Sequence, residues 1–191
     1  MAKLNHHFSK LSSNYLFPEI EKRVAAYRQT HPNVPLLDLG VGDITQPIPP
    51  SAVSALAAAA LEMGKPATFR GYGPPEGYPF LREAICSSEY CGLKIDPSEI
   101  FISDGAQSDI ANFQELFDTN NRVAILDPTY PVYLDSNVIA GRTKAPLKTG
   151  RQGGVTYLAC MEENGFKPEP PNGSVDLIYL CFPNNPTGIA L

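Results

Sequence analysis

The sequence predicts an α/β protein whose largely parallel sheet is covered by helices on both faces. Short, nearly continuous apolar runs alternate with segments of helical periodicity from residue 99 onward, a pattern typical of parallel strands buried on both faces. In addition, 19 prolines and 15 glycines cluster at the expected loops, which favours a turn-rich α/β protein over a helical bundle. The length of 191 residues allows one domain, or one domain with part of another.

The first half of the chain is predicted to contain three helices and a short strand. Apolar residues at helical spacing indicate a helix over Glu19–Gln29. A short apolar run over Leu36–Leu39 indicates a strand that ends in a glycine-containing loop. After a proline-rich stretch, Ser51 is expected to cap a helix that ends near Met63. A third helix is predicted over Gly77–Glu89.

The second half is predicted to alternate strands and helices. Four apolar runs indicate strands: Glu99–Ser103, Val123–Leu126, Thr143–Leu147 and Val175–Phe182. Two segments with helical periodicity lie between them: Ala106–Phe117 and Val132–Ala140. Pro131 suits the first turn of the second of these helices and Gly141 suits its end. Because a parallel strand needs a crossover and a further strand, we expect the chain to continue past Leu191.

Composition and charge exclude several classes of protein. A net charge of −5 argues against a nucleic-acid partner, since such binders carry a basic surface. The N-terminus lacks the apolar core of a signal peptide, and no apolar stretch reaches the length of a membrane span, so we expect a cytoplasmic protein without membrane contacts. The four cysteines show no metal-ligand spacing, which predicts idle thiols and no metal site.

Three motifs fall at the carboxyl ends of predicted strands, where ligands bind in sheets of this type. Ser103–Gln107 (SDGAQ) joins a strand to a helix start, where free backbone N–H groups and the helix dipole suit a phosphate. By itself this pattern is also typical of an ordinary strand-to-helix turn. The nucleotide-binding motifs GxxxxGK[ST] and GxGxxG are absent at the first strand-to-helix turn, which disfavours a nucleotide-binding domain.

The second and third motifs add an aromatic residue and an amide donor. Asp127–Pro131 (DPTYP) places Tyr130 between two prolines, where its ring can stack on a flat ligand. Asn184–Gly188 (NNPTG) places an asparagine at the carboxyl end of a strand, where its amide can donate to a phenolate-type oxygen. Each motif alone is also typical of a turn. The three together predict a site for a planar, phosphorylated cofactor.

These motifs resemble the class I and II aminotransferases, a family of pyridoxal-phosphate enzymes with the aspartate aminotransferase fold. The shared elements are SDGA at 103–106, DPxYP at 127–131, NNPTG at 184–188 and GYG at 71–73. Other segments are similar to family members that act on LL-2,6-diaminopimelate: NYLFPEI at 14–20, LGVGD at 39–43, RGYG at 70–73 and ENGF at 163–166. The resemblance implies a truncated three-layer large domain over 46–191. It also implies an N-terminal arm with part of the small domain over 1–45.

The resemblance implies roles for seven residues. Cofactor contacts are implied for Tyr72 (from the neighbouring subunit of a homodimer), Ala106, Gln107, Tyr130 and Asn185. Substrate contacts are implied for Tyr15, Gly42, Gln107, Tyr130 and Asn185. The implied reaction is reversible transamination between LL-2,6-diaminopimelate and tetrahydrodipicolinate, with 2-oxoglutarate and glutamate as the other pair, in lysine biosynthesis. The implied partners are therefore small amino acids and 2-oxo acids.

Two features depart from a complete enzyme of this kind. No lysine of the chain lies in the serine-rich motif that carries the family's Schiff-base lysine, so no catalytic residue is assigned and the 191-residue chain alone is expected to be inactive. Position 107 is glutamine where the family commonly has a lysine that also touches the substrate. Another class I or II aminotransferase, a related pyridoxal-phosphate lyase or synthase, and an inactive remnant of the family therefore stay open as alternatives.

Overall fold

The computed structural model describes residues 1–11, 16–37, 39, 44 and 46–190. The chain divides into two compact units. The first, which we call the sheet unit, combines Met1–Ser12 with Ser103–Leu191. The second, the helical unit, is Ser13–Ile102. The predicted domain boundary after residue 45 lies inside the helical unit, and the assignment to small and large domains stays a prediction.

The helical unit contains three α-helices, as the sequence predicted. They are α1 (Leu16–Thr30), α2 (Pro50–Met63) and α3 (Pro79–Ser88), and a 3-10 helix follows at Pro97–Glu99. Ser51 is not the cap of α2, contrary to prediction: Pro49 is the cap residue and Pro50 opens the helix. Proline suits that position because its fixed φ is helical and the first N–H has no intrahelical partner.

The strand predicted over Glu99–Ser103 does not form. Glu99 ends the 3-10 helix, and the extended residues after it have no neighbouring strand in the described chain. The backbone N–H of Ile102 instead donates to the Glu76 carbonyl, at 2.9 Å. Gly77 permits this approach, because a Cβ there would lie 2.3 Å from the Ile102 side chain. An apolar run alone does not make a strand, since a strand also needs a ladder partner.

The strand predicted over Leu36–Leu39 is likewise not observed where the structure describes that segment. Leu36, Leu37 and Leu39 have no regular secondary structure. Leu37 and Leu39 are 87% and 94% exposed, so the apolar run is not buried in the way a parallel strand requires.

The sheet unit has a three-stranded parallel sheet in the order β4-β1-β5. Its elements in chain order are α4 (Ala106–Phe113), a 3-10 turn (Gln114–Leu116), β1 (Val123–Asp127), α5 (Pro131–Ile139), β2 (Lys144–Pro146), β3 (Gln152–Gly153), β4 (Val155–Ala159), a 3-10 turn (Glu162–Asn164) and β5 (Leu177–Tyr179). The predicted α/β class with a parallel sheet is confirmed. β1 is buried from Val123 to Leu126, as its unbroken apolar sequence predicted.

Two strand predictions in this unit need correction. β2 is shorter than the predicted Thr143–Leu147 and pairs antiparallel with β3 in a separate two-stranded sheet. β5 is shorter than the predicted Val175–Phe182, because only Leu177–Tyr179 lies opposite β1. β4, which pairs with all five residues of β1, was not predicted.

The N-terminal arm contacts the end of α5. Its 3-10 helix is His6–Lys10. The Asn5 amide donates to the Ile139 carbonyl at 2.9 Å, and the Lys10 ammonium donates to the Thr143 carbonyl at 3.1 Å. Among the helices of the described residues, none combines the length and apolar character that crossing a bilayer requires.

Candidate functional site

The candidate site lies in the sheet unit, where the chain leaves β1 and β5 and where α4 begins. Ligands bind beyond the carboxyl ends of the strands in open parallel sheets, and β1 and β5 run parallel. The loop 128–130 follows β1, and the loop 180–188 follows β5. Two of the three sequence motifs are therefore placed at neighbouring strand ends.

The first turn of α4 offers backbone N–H groups without a side-chain cap. Gly105 is the cap residue, with φ 142° and ψ 155°, and it has no side chain to accept from the helix. Ala106 and Gln107 open the helix and are exposed. The Ser103 hydroxyl donates to the Asp109 carboxylate at 2.6 Å and accepts from the Gly105 N–H at 3.3 Å. Uncapped N–H groups at a helix start suit an anion.

A side-chain hydrogen bond joins the DPTYP motif (127–131) to the SDGAQ motif (103–107). The Tyr130 hydroxyl donates to the Gln107 Oε1 at 3.3 Å. Tyr130 is half-buried and directly precedes Pro131, which opens α5. Because these two residues are 23 positions apart in the chain, the fold itself brings the two motifs together.

Asn184 joins the loop after β1 to the loop after β5. Its side chain is buried, with 3% exposed. Its amide Nδ2 donates to the Pro128 carbonyl and to the Thr187 Oγ1, both at 3.1 Å. Its backbone adds two bonds within its own loop, one to Ile189 and one from Gly188. Asn184 therefore fixes both loops, whereas the neighbouring Asn185 is exposed.

An aromatic row extends from the site towards the interior. It consists of Tyr130, Tyr133 and Tyr179, with ring centroids 6.0 Å apart for the first pair and 5.5 Å for the second. Burial raises the pKa of Tyr133, and the neighbouring Cys181 and Tyr130 add to that effect. The raised pKa favours the neutral form of the Tyr133 hydroxyl, which can donate a hydrogen bond.

The other predicted site residues are placed as follows. Asn185 is exposed in the loop after β5. Tyr72 belongs to the helical unit and is fully exposed. Tyr15 and Gly42 lie outside the described residues. Their roles, like those of the other predicted site residues, stay predictions.

The residues present fit a phosphorylated planar cofactor. The uncapped start of α4 suits the phosphate, and the half-buried Tyr130 offers a ring face and a hydroxyl. In the same loops, Thr129 Oγ1 and Asn184 Oδ1 are buried without a protein hydrogen-bond partner. Buried polar atoms normally have a partner, so these two atoms indicate that the loops are built to receive a further polar group.

Sequence reasoning missed Asn184 and Gln114. In NNPTG, the resemblance implies a role for the second asparagine, Asn185. The first asparagine, Asn184, is the one that is buried. Gln114 is 8% exposed, and its amide Nε2 donates to the Tyr179 hydroxyl at 2.8 Å. Nothing in the sequence distinguishes it from its polar neighbours Asn112 and Glu115.

No group of three or more His, Cys, Asp or Glu side chains that could hold a metal occurs in the part of the chain that the structure describes. All four cysteines are free thiols.

Comparison with known proteins identifies the relatives of this chain. The model of the family "Aminotransferase class I and II" matches residues 34–191. The chain is 55% identical to LL-diaminopimelate aminotransferase of Desulforapulum autotrophicum and 48% identical to that of Parabacteroides distasonis. Both matches cover the whole chain but only 47% of the relative. The chain thus spans about half the length of these relatives.

Solved structures support the same relationship. The L,L-diaminopimelate aminotransferase of Chlamydomonas reinhardtii is similar with a TM-score of 0.86 at 40% identity, over 98% of this chain and 46% of the other. An aspartate aminotransferase of Thermus thermophilus is similar with a TM-score of 0.65 at 27% identity, over 88% and 40% of the two chains. Both likenesses extend over most of the chain, so they support the fold of each unit.

Proposed function

Because this chain belongs to the class I and II aminotransferases, whose cofactor is pyridoxal phosphate, we propose that it is part of an enzyme that transaminates LL-2,6-diaminopimelate. The reaction interconverts this amino acid and tetrahydrodipicolinate, with 2-oxoglutarate and glutamate as the second pair. It would serve lysine biosynthesis. The proposed substrate rests on the 48–55% identity to LL-diaminopimelate aminotransferases along the whole chain. The contact between Gln107 and Tyr130 supports a shared site for the motifs.

Five residues have proposed roles toward the cofactor. The backbone N–H groups of Ala106 and Gln107 hold its phosphate, because they open an uncapped helix. Tyr130 lies against its ring, and the exposed amide of Asn185 donates to its phenolic oxygen. Tyr72 reaches the phosphate from a second subunit. A fully exposed tyrosine is suited to such an intersubunit role.

Substrate contacts are proposed for Tyr15, Gly42, Gln107, Tyr130 and Asn185. Bound pyridoxal phosphate supplies an electron sink that makes the amino acid's α-proton acidic. The residues of this chain orient the two partners: Asn185 is a neutral donor to oxygen, and Gln107 can bond a carboxylate without adding charge. The lysine that binds the cofactor covalently is not assigned to any residue of this chain.

A second candidate is another aminotransferase of the same family. The observation that favours it is Gln107, which cannot give charge-assisted hydrogen bonds to a distal carboxylate. A related lyase or synthase and an inactive remnant are outcomes of the same test.

The test uses the full-length protein and a panel of amino donors with 2-oxoglutarate as acceptor. We expect LL-2,6-diaminopimelate to be the preferred donor by kcat/KM, with glutamate formed in equal amount. Preference for a donor without a second carboxylate contradicts the proposal that LL-2,6-diaminopimelate is the substrate. Release of ammonia or carbon dioxide without glutamate identifies a lyase, and the absence of any reaction identifies a remnant.

An assembly and a cellular location are also proposed. A homodimer is proposed because the role of Tyr72 requires a second subunit; light scattering of the full-length protein tests it. A cytoplasmic location stays a prediction, which fractionation of cells that express the protein would test.

A further inference from the structure

We propose that Arg142 is a positioning residue for the phosphate-binding turn at the start of α4, which it controls from the opposite end of that helix. The proposal rests on the proposed function, because it assigns the phosphate to that turn. Arg142 follows α5 in the chain and touches none of the predicted site residues directly.

The guanidinium of Arg142 binds one carbonyl at the end of α4 and two carbonyls just beyond the 3-10 turn that follows it. The side chain is buried, with 7% of the residue exposed. Its nitrogens donate to the backbone carbonyls of Gln114 (2.6 Å), Phe117 (2.5 Å) and Asp118 (3.1 Å). Carbonyls at the end of a helix lack intrahelical donors and carry the negative end of the dipole. The buried cation therefore binds the C-cap carbonyl of α4, and the segment that follows the helix, with charge-assisted hydrogen bonds.

No carboxylate in the described part of the chain pairs with Arg142. Its remaining acceptors are the side-chain oxygens of Gln114 and of Asn137, the latter at 3.5 Å. A buried charge is costly unless it is satisfied. Here the Gln114 carbonyl at the end of α4 and the carbonyls of Phe117 and Asp118 compensate it, so the charge ties the end of α4 to the segment that follows.

Gln114 bonds the end of α4 to two neighbouring elements, β5 and α5. Its Nε2 donates to the Tyr179 hydroxyl on β5 at 2.8 Å and to the Ser136 hydroxyl on α5 at 3.3 Å. Its Oε1 accepts from Arg142. Arg142 and Gln114 thus fasten the end of α4 to the helix and the strand whose adjacent loops hold Tyr130 and Asn185.

The length of α4 converts a small tilt into a large displacement of the phosphate turn. Eight residues span roughly 12 Å at 1.5 Å per residue. A tilt of about 5° at the fixed end would move Ala106 by roughly 1 Å over that length, and misplacement on that scale weakens a ligand contact strongly. Near the fixed end, Phe113 and Leu116 are 56% and 71% exposed, whereas the buried side chains of Gln114 and Arg142 are polar.

The test measures binding of pyridoxamine 5′-phosphate and of pyridoxamine by the full-length protein. These two probes differ only in the phosphate, and neither forms a covalent bond to a lysine. Arg142→Met removes the guanidinium and keeps the stem, whereas Arg142→Lys keeps the charge with fewer donors. Val138→Ala is the control, since Val138 is fully buried in α5 and its apolar side chain takes no part in the hydrogen bonds of Arg142 and Gln114.

We expect Arg142→Met to raise the Kd of pyridoxamine 5′-phosphate about tenfold, the size expected for about 1.4 kcal/mol, and to leave that of pyridoxamine unchanged. Arg142→Lys should fall between Arg142→Met and wild type, and it replaces Arg142→Met if the latter does not fold. Val138→Ala should lower Tm and change neither Kd. Equal changes in both Kd values, or no change in either, would overturn the positioning role. If the wild-type protein binds the two probes equally, the proposed function itself fails, which is a separate outcome.

Discussion

At the residue scale, the two neighbouring asparagines of NNPTG have different environments and therefore different expected roles. Asn184 is buried and bonds two loops, whereas Asn185 is exposed. Stability and ligand contact therefore belong to different side chains that the sequence does not distinguish. Substitution of each can separate the two effects.

We expect Asn184→Ala to destabilise the protein by about 1–3 kcal/mol, because the Pro128 carbonyl and the Thr187 hydroxyl lose a buried donor. Asn185→Ala is the matched control and should change the free energy of unfolding by less than about 0.5 kcal/mol. Urea denaturation measures both. If the proposed role of Asn185 is correct, only its substitution should alter the visible absorbance of the cofactor in a protein of unchanged stability. Equal losses of stability in both variants would contradict this division.

A second residue-scale prediction concerns the pH dependence of Asp176. The Arg122 guanidinium and the Arg122 backbone N–H, which donates to Oδ2 at 2.7 Å, lower the pKa of this carboxyl. A group with a lowered folded pKa stabilises the protein above its unfolded pKa of about 3.9, and that stabilisation is lost as the pH falls through the folded value. In Arg122→Gln the pKa should rise part of the way towards the ordinary value, because the backbone bond persists.

A carboxyl-detected NMR titration measures this pKa. Arg122→Lys, which keeps the charge but not the two-nitrogen contact, should give an intermediate value. An unchanged pKa in Arg122→Gln would show that the backbone bond alone sets it.

At the element scale, the end of α5 illustrates how a glycine serves both backbone and packing. Gly141 follows the helix with φ +85°, and a Cβ there would lie 2.7 Å from the His7 Nε2 of the N-terminal arm. Gly150 has nearly the same φ, +83°, but open space around it. The pair therefore separates backbone strain from steric conflict.

Gly150→Ala should cost about 1 kcal/mol of stability through backbone strain alone. Gly141→Ala should cost more, because the new methyl group must also displace His7. In the background His7→Ala, the cost of Gly141→Ala should fall towards that of Gly150→Ala, as a double-mutant cycle from urea denaturation would show. An unchanged cost in that background would mean that the arm does not press on the end of α5.

The same scale shows what sequence patterns can and cannot predict. The helices and the central strand β1 carry their own signal, since periodicity and unbroken apolar sequence are local. β1 is the central strand of its sheet, and its buried side chains match its unbroken apolar sequence. The run at Glu99–Ser103 is also apolar at its centre but has no ladder partner in the described chain, and β4 forms because it pairs with β1. The pairing of strands joins residues that are distant in the chain, so it cannot be predicted from local patterns in a single sequence.

The candidate site follows the same logic. The sequence predicted Gln107, Tyr130 and Asn185 through motifs with a recognisable pattern. It could not predict Asn184, Gln114 or Arg142, because buried polar side chains are distinguished only by what surrounds them. These residues connect elements up to 65 positions apart, and their importance emerges only from the fold.

At the scale of the whole molecule, β5 is an edge strand of the sheet within the described residues. This strand pairs with β1 on one side, and Ile178 and Leu180 are 46% and 58% exposed. The relatives are about twice as long as the chain. An exposed apolar strand edge favours association, so the 191-residue chain produced alone should be less soluble than the full-length protein.

The 191-residue chain alone should also show no transaminase turnover. Transamination by this family requires a lysine that binds the cofactor and moves the α-proton, and none of the chain's lysines is assigned that role. The assay follows glutamate formation from LL-2,6-diaminopimelate and 2-oxoglutarate, with chain that gel filtration shows to be soluble and with the full-length protein as control. Binding of pyridoxamine 5′-phosphate without turnover would show that the phosphate-binding turn can bind its ligand without the lysine that bonds the cofactor covalently. Turnover by the pure chain would instead require a catalytic lysine among the residues described here, and would overturn the assignment of that step to another part of the protein.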